Sequence, residues 1–364
     1  MQKVLWAALV GLTAVGVART EAAVAQVRPD ATLGAENSRV RADRVRGRDN
    51  IERDSDVIEG GAQRGGNLFH SFEQFDVPEG RGAYFNSPAD VRNIFSRVTS
   101  ADRSEIFGTL GTFSNANLFF MNPNGILFGA NASLDLGGSF AATTANGIQF
   151  GEQGFFNATN PEAPALLTIN PSAFLFNQIP TDNLPTITNQ ANTGFGLRVR
   201  NGQNLLLLGG NVANDGGQLS AFEGRVEIGA VVGIGAVGLN SDSSFNFPTD
   251  LIRGDVSFTN RSQVDVTFKN AGDIRVTARS IDVSGESLLK AGINTNSGAV
   301  GSRAGDLNLN ATGDVQIRQG SRIENDVNPG AIGNGGNLTI TARSLLVEER
   351  SQISASTFAR LYPF

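Results

Sequence analysis

The sequence predicts an all-β protein, a right-handed single-stranded parallel β-helix with an N-terminal cap. Three observations carry that expectation. The chain has 44 glycines and 24 phenylalanines among 364 residues but only 18% charged residues, a composition suited to many short strands and tight turns. Its apolar residues alternate with polar ones over short runs, so every second side chain faces the same way. Most directly, the C-terminal third repeats itself. Ala271-Gly272-Asp273-Ile274-Arg275-Val276-Thr277-Ala278 recurs from Ala304 as AGDLNLNA and from Gly335 as GGNLTITA, at spacings of 33 and 31 residues. Each copy continues with a second alternation (Ile281-Asp282-Val283, Val315-Gln316-Ile317, Leu345-Leu346-Val347) and then with Leu289, Ile323 or Ile353, each preceded by Ser287, Ser321 or Ser351. Short strands, a glycine at each start and a variable loop at each end are the arithmetic of a coil that stacks on its neighbours. A β-sandwich would not copy its sequence at fixed spacing. Coils of about 22 residues would give about 15 turns and a rod on the order of 70 Å.

From the N-terminus, Lys3 precedes an apolar run from Val4 to Ala18, and Ala23-Val24-Ala25 offers a small-residue cleavage site before Gln26. Residues 1–25 therefore read as a secretory signal peptide cleaved between Ala25 and Gln26; the run is short for a spanning helix, which needs about 20 apolar residues. The chain has no cysteine, so an exported fold must be stable without disulfides, and thiol catalysis and cysteine-ligated zinc are excluded. Residues 31–56 are polar and arginine-rich, as in Arg39-Val40-Arg41-Ala42-Asp43-Arg44-Val45-Arg46. They read as a solvated cap over one end of the fold, with a basic docking surface as the alternative.

Strand signals then run from Gly66 to Phe150, with turns at Pro78-Glu79-Gly80, at Asn86-Ser87-Pro88 and at Asn122-Pro123-Asn124-Gly125. Pro161, Pro164, Pro171, Pro180 and Pro185 crowd the passage from Asn157 to Thr193, too many for a central strand, and mark an extraneous loop or subdomain. The expected division is 26–200 for an N-terminal domain and 201–364 for a β-helical repeat region that breaks off after its third clear copy.

The turn at Asn122 is the most informative feature for function. It hinges Leu118-Phe119-Phe120-Met121 to Ile126-Leu127-Phe128-Gly129, and the NPNGI string in that setting resembles the signature of the filamentous-haemagglutinin N-terminal domain, the secretion domain of two-partner secretion exoproteins. The resemblance extends to Asn67–Val77, Asn93–Thr99, Ser104–Gly108 and Ala132–Thr144, in the order of that family. It implies an adhesin- or haemagglutinin-like exoprotein, secreted or held at the cell surface of a Gram-negative-type envelope. Such a protein passes through the periplasm and leaves through an outer-membrane barrel transporter with periplasmic docking domains. The resemblance places a recognition role on Asn122, Pro123, Asn124, Gly125 and Ile126, so that Asn124→Ala or Ile126→Ser should block export without loss of stability. The family's second asparagine motif has its nearest counterpart at Asn86-Ser87-Pro88-Ala89, which lacks the expected leucine.

Other chemistry is sparse. His70 is the only histidine and, lying opposite Phe69 in a strand, reads as an exposed strand residue. Asp273 and Asp306 stand where the third copy has Asn337, which favours turn capping by the side chain over calcium or paired-acid chemistry. No cofactor or metal is expected, and glycan or protein ligands would be bound at the surface without catalysis. A net charge of −6, with lysine only at positions 3, 269 and 290, argues against a nucleic-acid partner. Because one fold serves many activities, a secreted β-helical polysaccharide lyase or hydrolase is the alternative.

Overall fold

The computed structural model describes residues 26–178, 184–270 and 272–358. Residues 1–25, the expected signal peptide with the Ala25 side of its cleavage site, lie outside them; Gln26 is the first residue described. No helix among the described residues is long and apolar enough to cross a membrane.

The chain winds into a parallel β-helix with three faces. Face one is an eleven-stranded sheet whose central run is Asn67–Asp76, Asn93–Val98, Asn117–Met121, Phe140–Thr143, Leu205–Gly209, Arg225–Ala230, Asp273–Ala278, Leu307–Ala311 and Leu338–Thr341, each parallel to the next. Face two is an eight-stranded sheet from Ser104–Ile106 to Ser344–Val347. Face three is divided: one sheet ends at Ser133–Asp135, and a six-stranded sheet begins at Leu197–Arg198. At the N-terminus, Gln26–Pro29 and Ala62–Arg64 pair antiparallel with Asn67–Asp76, and Ser38–Arg46 pairs antiparallel with Glu52–Gly60.

The repeat registers as its sequence indicates. Ile274, Leu307 and Leu338 form one ladder, Ile281, Val315 and Leu345 a second, and Leu289, Ile323 and Ile353 a third. Ser287 N–H donates to Ser321 Oγ, and Ser321 N–H to Ser351 Oγ, at 3.1 and 3.2 Å, so the serines pin one coil to the next. Asp273 and Asp306 act similarly. Rather than capping their own turns, they accept the backbone N–H of Asp306 and Asn337, one coil on, at 3.0 and 2.9 Å.

The described chain makes nine rungs on face one, not fifteen, which corresponds to a stack of about 40 Å. Coil length explains the difference. The register advances 26 residues from Leu68 to Ile94 and 24 to Leu118, but 65 from Phe140 to Leu205 and 48 from Val226 to Ile274. Each long step is an excursion out of the helix. The proline-rich passage belongs to the first; the second, around Gly235–Leu239, has no such proline signal. Together they build an antiparallel sheet of Gly147–Gln149, Phe155–Asn157, Ala173–Phe176, Gly235–Leu239 and Phe245–Asn246.

That sheet covers the outside of face one and creates a second core. The main core lies inside the helix; the second contains Phe69, Phe95, Phe119, Phe150, Phe156 and Phe174. Phe69, Phe95 and Phe119 stack from coil to coil at 5.1 and 4.8 Å between ring centroids. This second layer overturns the expectation for His70. Phe69 points out of the helix and is buried all the same, so His70, on the opposite side of the strand, points inward with Leu68 and Phe72 and is completely buried.

The arginine-rich strand is solvated: in Ser38–Arg46 only Ser38 and Val45 are fully buried. Three of its four arginines are matched across the hairpin, with Arg41 3.2 Å from Glu59 and Arg44 and Arg46 each 3.5 Å from Glu52. The alternation therefore presents paired charge rather than a basic field.

Candidate functional site

The hinge Asn122-Pro123-Asn124-Gly125 turns the third coil from face one to face two. Strand Asn117–Met121 ends because Pro123 has no N–H to donate, and Gly125 adopts φ +113°, a region closed to most side chains, so that Ile126–Phe128 can leave in a new direction. Asn122 is fully buried and satisfies the corner by itself. Its Oδ1 accepts the N–H of Asn124 at 2.9 Å, and its Nδ2 donates to the Asp102 carbonyl and to Ser104 Oγ, each at 3.0 Å. The Asn122 carbonyl accepts Gly125 N–H at 3.2 Å, and the Gly125 carbonyl accepts Ser104 N–H at 3.1 Å. The hinge is thus bonded to the corresponding corner of the preceding coil.

Of the five hinge residues, only Asn124 is exposed. Its Nδ2 donates to the Ser100 carbonyl at 2.7 Å, across the same pair of corners. Pro123 and Gly125 are buried, and Ile126 is 1% exposed in the main core, paired with Ser104 and Ile187. The folded protein therefore presents one side chain of the signature to a partner, a constraint that strand alternation could not reveal because both faces of this corner are covered.

Asn86 lies elsewhere. It follows Gly82–Phe85 on face three, its N–H donates to the Ile58 carbonyl at 2.8 Å, and its exposed Nδ2 reaches Glu59 at 3.3 Å. These bonds link it to the N-terminal hairpin and not to the hinge. Gln26, the expected new N-terminus, pairs with Asp76 at the edge of face one.

An asparagine ladder escaped the sequence reading. Asn93 Nδ2 donates to Asn67 Oδ1 and Asn117 Nδ2 to Asn93 Oδ1, both at 3.0 Å, while Asn117 Oδ1 accepts Ser139 N–H at 2.9 Å. The signal was available, an asparagine opening each of three successive strands at steps of 26 and 24 residues. Two titratable groups are buried on face one, five rungs apart. Among the described residues the His70 ring bonds only Ser38 Oγ, at 3.0 Å, beside the rings of Phe72 and Phe85, and burial pushes its pKa down to about 3. Burial pushes Glu227, beneath the second excursion, up to about 7; its Oε1 accepts Phe245 N–H at 2.9 Å.

Among the described residues, no group of three or more histidine, cysteine, aspartate or glutamate side chains is arranged to hold a metal. A stacked β-helix with a distinctive corner built into its third coil is an extended scaffold, organised by its coils rather than around an enclosed pocket. The TPS secretion domain model matches residues 25–276, which contain the hinge, both excursions and the coils between them. The chain belongs to the TPS secretion domain family and is an exoprotein of the two-partner pathway, whose transporter lies in the outer membrane.

Two solved structures are similar. The secretion domain of filamentous hemagglutinin shares 15% identity over 92% of this chain and 99% of its own, with a TM-score of 0.39. The HMW1 secretion domain from Haemophilus influenzae shares 16% over 89% and 99%, with a TM-score of 0.40. At those scores the fold assignment rests on the strand pairing itself. No curated protein matches the sequence at a significant level. Nothing in these findings supports the lyase or hydrolase alternative.

Proposed function

We propose that this exoprotein works as a non-enzymatic adhesin of the haemagglutinin type, and that its hinge serves export by setting a coil corner from which Asn124 is presented to the transporter's periplasmic domains. The observation that carries the second part is the contrast between Asn122, buried with three side-chain bonds, and Asn124, exposed two residues later. The route runs through the periplasm after removal of residues 1–25, and the product is released or retained at the surface. Glycans or proteins are the ligand classes. The expected boundary near residue 200 is not a break in the fold, since Phe140 pairs with Leu205 and Leu205 with Val226, and the secretion-domain match itself runs on to residue 276.

The test is export in the presence of the cognate transporter. Asn124→Ala should reduce export while the purified chain keeps its melting temperature. Unchanged export of that variant would leave the hinge with a purely structural role.

A further inference from the structure

The division of face three leaves a cleft. Strand Ser133–Asp135 closes one sheet and Leu197–Arg198 opens the next, and no ladder joins them. Between them, beside the loop carrying Arg48, lies a recess of about 830 Å3 lined by Ser133, Asp135, Arg198, Arg200 and Asn201. Its two walls differ electrostatically. On the upper wall the carboxylates are engaged: Asp135 accepts Arg48 N–H, Arg48 Nη1 and the Tyr84 hydroxyl at 2.9, 3.0 and 3.2 Å, and Asp49 pairs with Arg53. On the lower wall Arg198 and Arg200 have no ion pair among the described residues. Arg198 makes one long bond, from Nη2 to Asn201 Oδ1 at 3.4 Å.

An aromatic row continues from that wall. The Arg198 guanidinium lies 4.8 Å from the ring centroid of Phe195 and 5.0 Å from that of Phe222. Phe222 stacks on Phe268 one coil further at 6.4 Å, and the Lys269 ammonium stands 6.0 Å from the Phe268 ring. Phe195 is 53% exposed, Arg200 and Lys269 are exposed, and Lys269 has no carboxylate partner among the described residues. Glu223, next to Phe222 in the chain, accepts Asn270 N–H at 3.3 Å. On a chain of net charge −6, this is a strip of unpaired cations interleaved with aromatic rings.

We propose that the cleft and its aromatic row bind an anionic glycan, a polymer bearing carboxylate or sulfate groups on its sugar rings. The guanidinium fork matches carboxylate and sulfate oxygens in a way a neutral sugar cannot exploit, and the exposed ring of Phe195 offers a flat apolar face for the C–H side of a pyranose. The rings follow one another with centroids 5.6 and 6.4 Å apart, so the strip follows a linear chain rather than a compact ligand. The proposal names the chemistry of a ligand for the adhesin reading. It uses no residue of the hinge, so its failure leaves the export assignment untouched.

The experiment is calorimetric titration of the complete mature chain with a heparin-derived hexasaccharide, a hexagalacturonate and neutral maltohexaose; the first two separate sulfate from carboxylate recognition. An anionic probe should bind, maltohexaose should not, and affinity should fall as salt rises. Arg200→Ala and Phe195→Ala, at exposed positions, should each weaken binding by about fivefold or more at unchanged melting temperature, as expected for loss of one charge-assisted or aromatic contact. Arg261→Ala, at a side chain 81% exposed on another edge, should bind as the parent does. Failure of both anionic probes to bind, equal loss in Arg261→Ala, or full affinity in the two cleft variants would each overturn the proposal. So would loss of transporter capture in the cleft variants with glycan affinity intact, which would assign the strip to export.

Discussion

Asn122 shows how much of the hinge is decided by a single side chain. Three hydrogen bonds converge on a residue with no exposed surface, so Asn122→Ala would leave the Asp102 carbonyl, Ser104 Oγ and Asn124 N–H short of a partner. Gly125 contributes differently. At φ +113° a Cβ would also stand 3.1 Å from the Thr186 carbonyl oxygen, and Gly125→Ala should cost about 1–2 kcal/mol in denaturant unfolding. Ile126→Ser, expected from sequence to spare stability, should instead cost about 3 kcal/mol or more, because it empties a fully buried site and places a hydroxyl there. If Ile126→Ser unfolds at the parent's denaturant midpoint, the packing of this corner is wrong. Asn124→Ala is therefore the informative export variant.

Two buried titratable groups give the stability a pH dependence of opposite signs. His70 is neutral in the folded chain down to about pH 3, whereas an unfolded histidine takes a proton below about 6.5. Its contribution is complete above pH 6.5 and is lost as pH falls toward 3, by about 1.4 kcal/mol per pH unit inside that window. Glu227 keeps its proton up to about pH 7 when folded but only to about 4.5 when unfolded, so its contribution is complete below 4.5 and is lost as pH rises to 7. His70→Phe should flatten the acid limb, and Glu227→Gln should remove the decline toward neutrality. Urea unfolding at a series of pH values checks both; an unchanged profile in either variant would show that the group is solvated.

At the scale of the element, the corner between faces two and three is a column of left-handed residues. Asn260 and Arg261, Gly285 and Glu286, Gln319 and Gly320, and Glu349 and Arg350 all have φ between +52° and +72°, coil above coil. The stacking bonds run along the column: Arg261 N–H to Gly285 O, Glu286 N–H to Gln319 O and Gly320 N–H to Glu349 O, at 2.7, 2.9 and 2.9 Å. Glycine meets this demand at no steric cost, while Arg261, Glu286, Gln319, Glu349 and Arg350 meet it under strain. Gln319→Gly should accordingly raise stability, by about 1 kcal/mol or less. A lowered denaturation midpoint would mean that the side chain contributes contacts outweighing its backbone strain. The asparagine and serine ladders are the complement of this column. They bond each rung to the next by side chain and so oppose a slip that would turn the apolar ladder outward.

Across the whole molecule, the helix and its second layer are joined at Arg97. This arginine is fully buried and donates from Nε to Ser71, from Nη1 to the Asn157 carbonyl and from Nη2 to Thr32 Oγ1 and the Glu162 carbonyl, at 2.6–2.9 Å, with its guanidinium 4.3 Å from the Phe156 ring. It links the N-terminal segment, face one and the first excursion. Burial pulls its pKa down to about 10, so it stays charged at neutral pH. Arg97→Met should cost about 3 kcal/mol or more, since four acceptors lose a charged donor. Hydrogen exchange should accelerate first at Phe155–Asn157 and at residues 30–32. Uniform protection in that variant would show that the second layer holds without the arginine.

The coil architecture was readable from residue order, because a stacked coil buries what its own period-two alternation provides. Ile274, Leu307 and Leu338 were legible as one ladder, and NPNGI as a turn of a known kind. Tertiary structure alone decided what lies outside the helix. Phe69 and His70 alternate as in any strand, and nothing local says that the outer side is covered by residues 147–157 and 173–176, so the buried histidine was read as exposed. The number of coils was hidden likewise, since residues that leave the helix carry the same strand pattern as those that stay. The hinge divides along the same line. Its turn follows from the backbone limits of proline and glycine, whereas the burial of Asn122 and Ile126 and the exposure of Asn124 depend on Asp102, Ser104 and Thr186, residues supplied by the coils above and below.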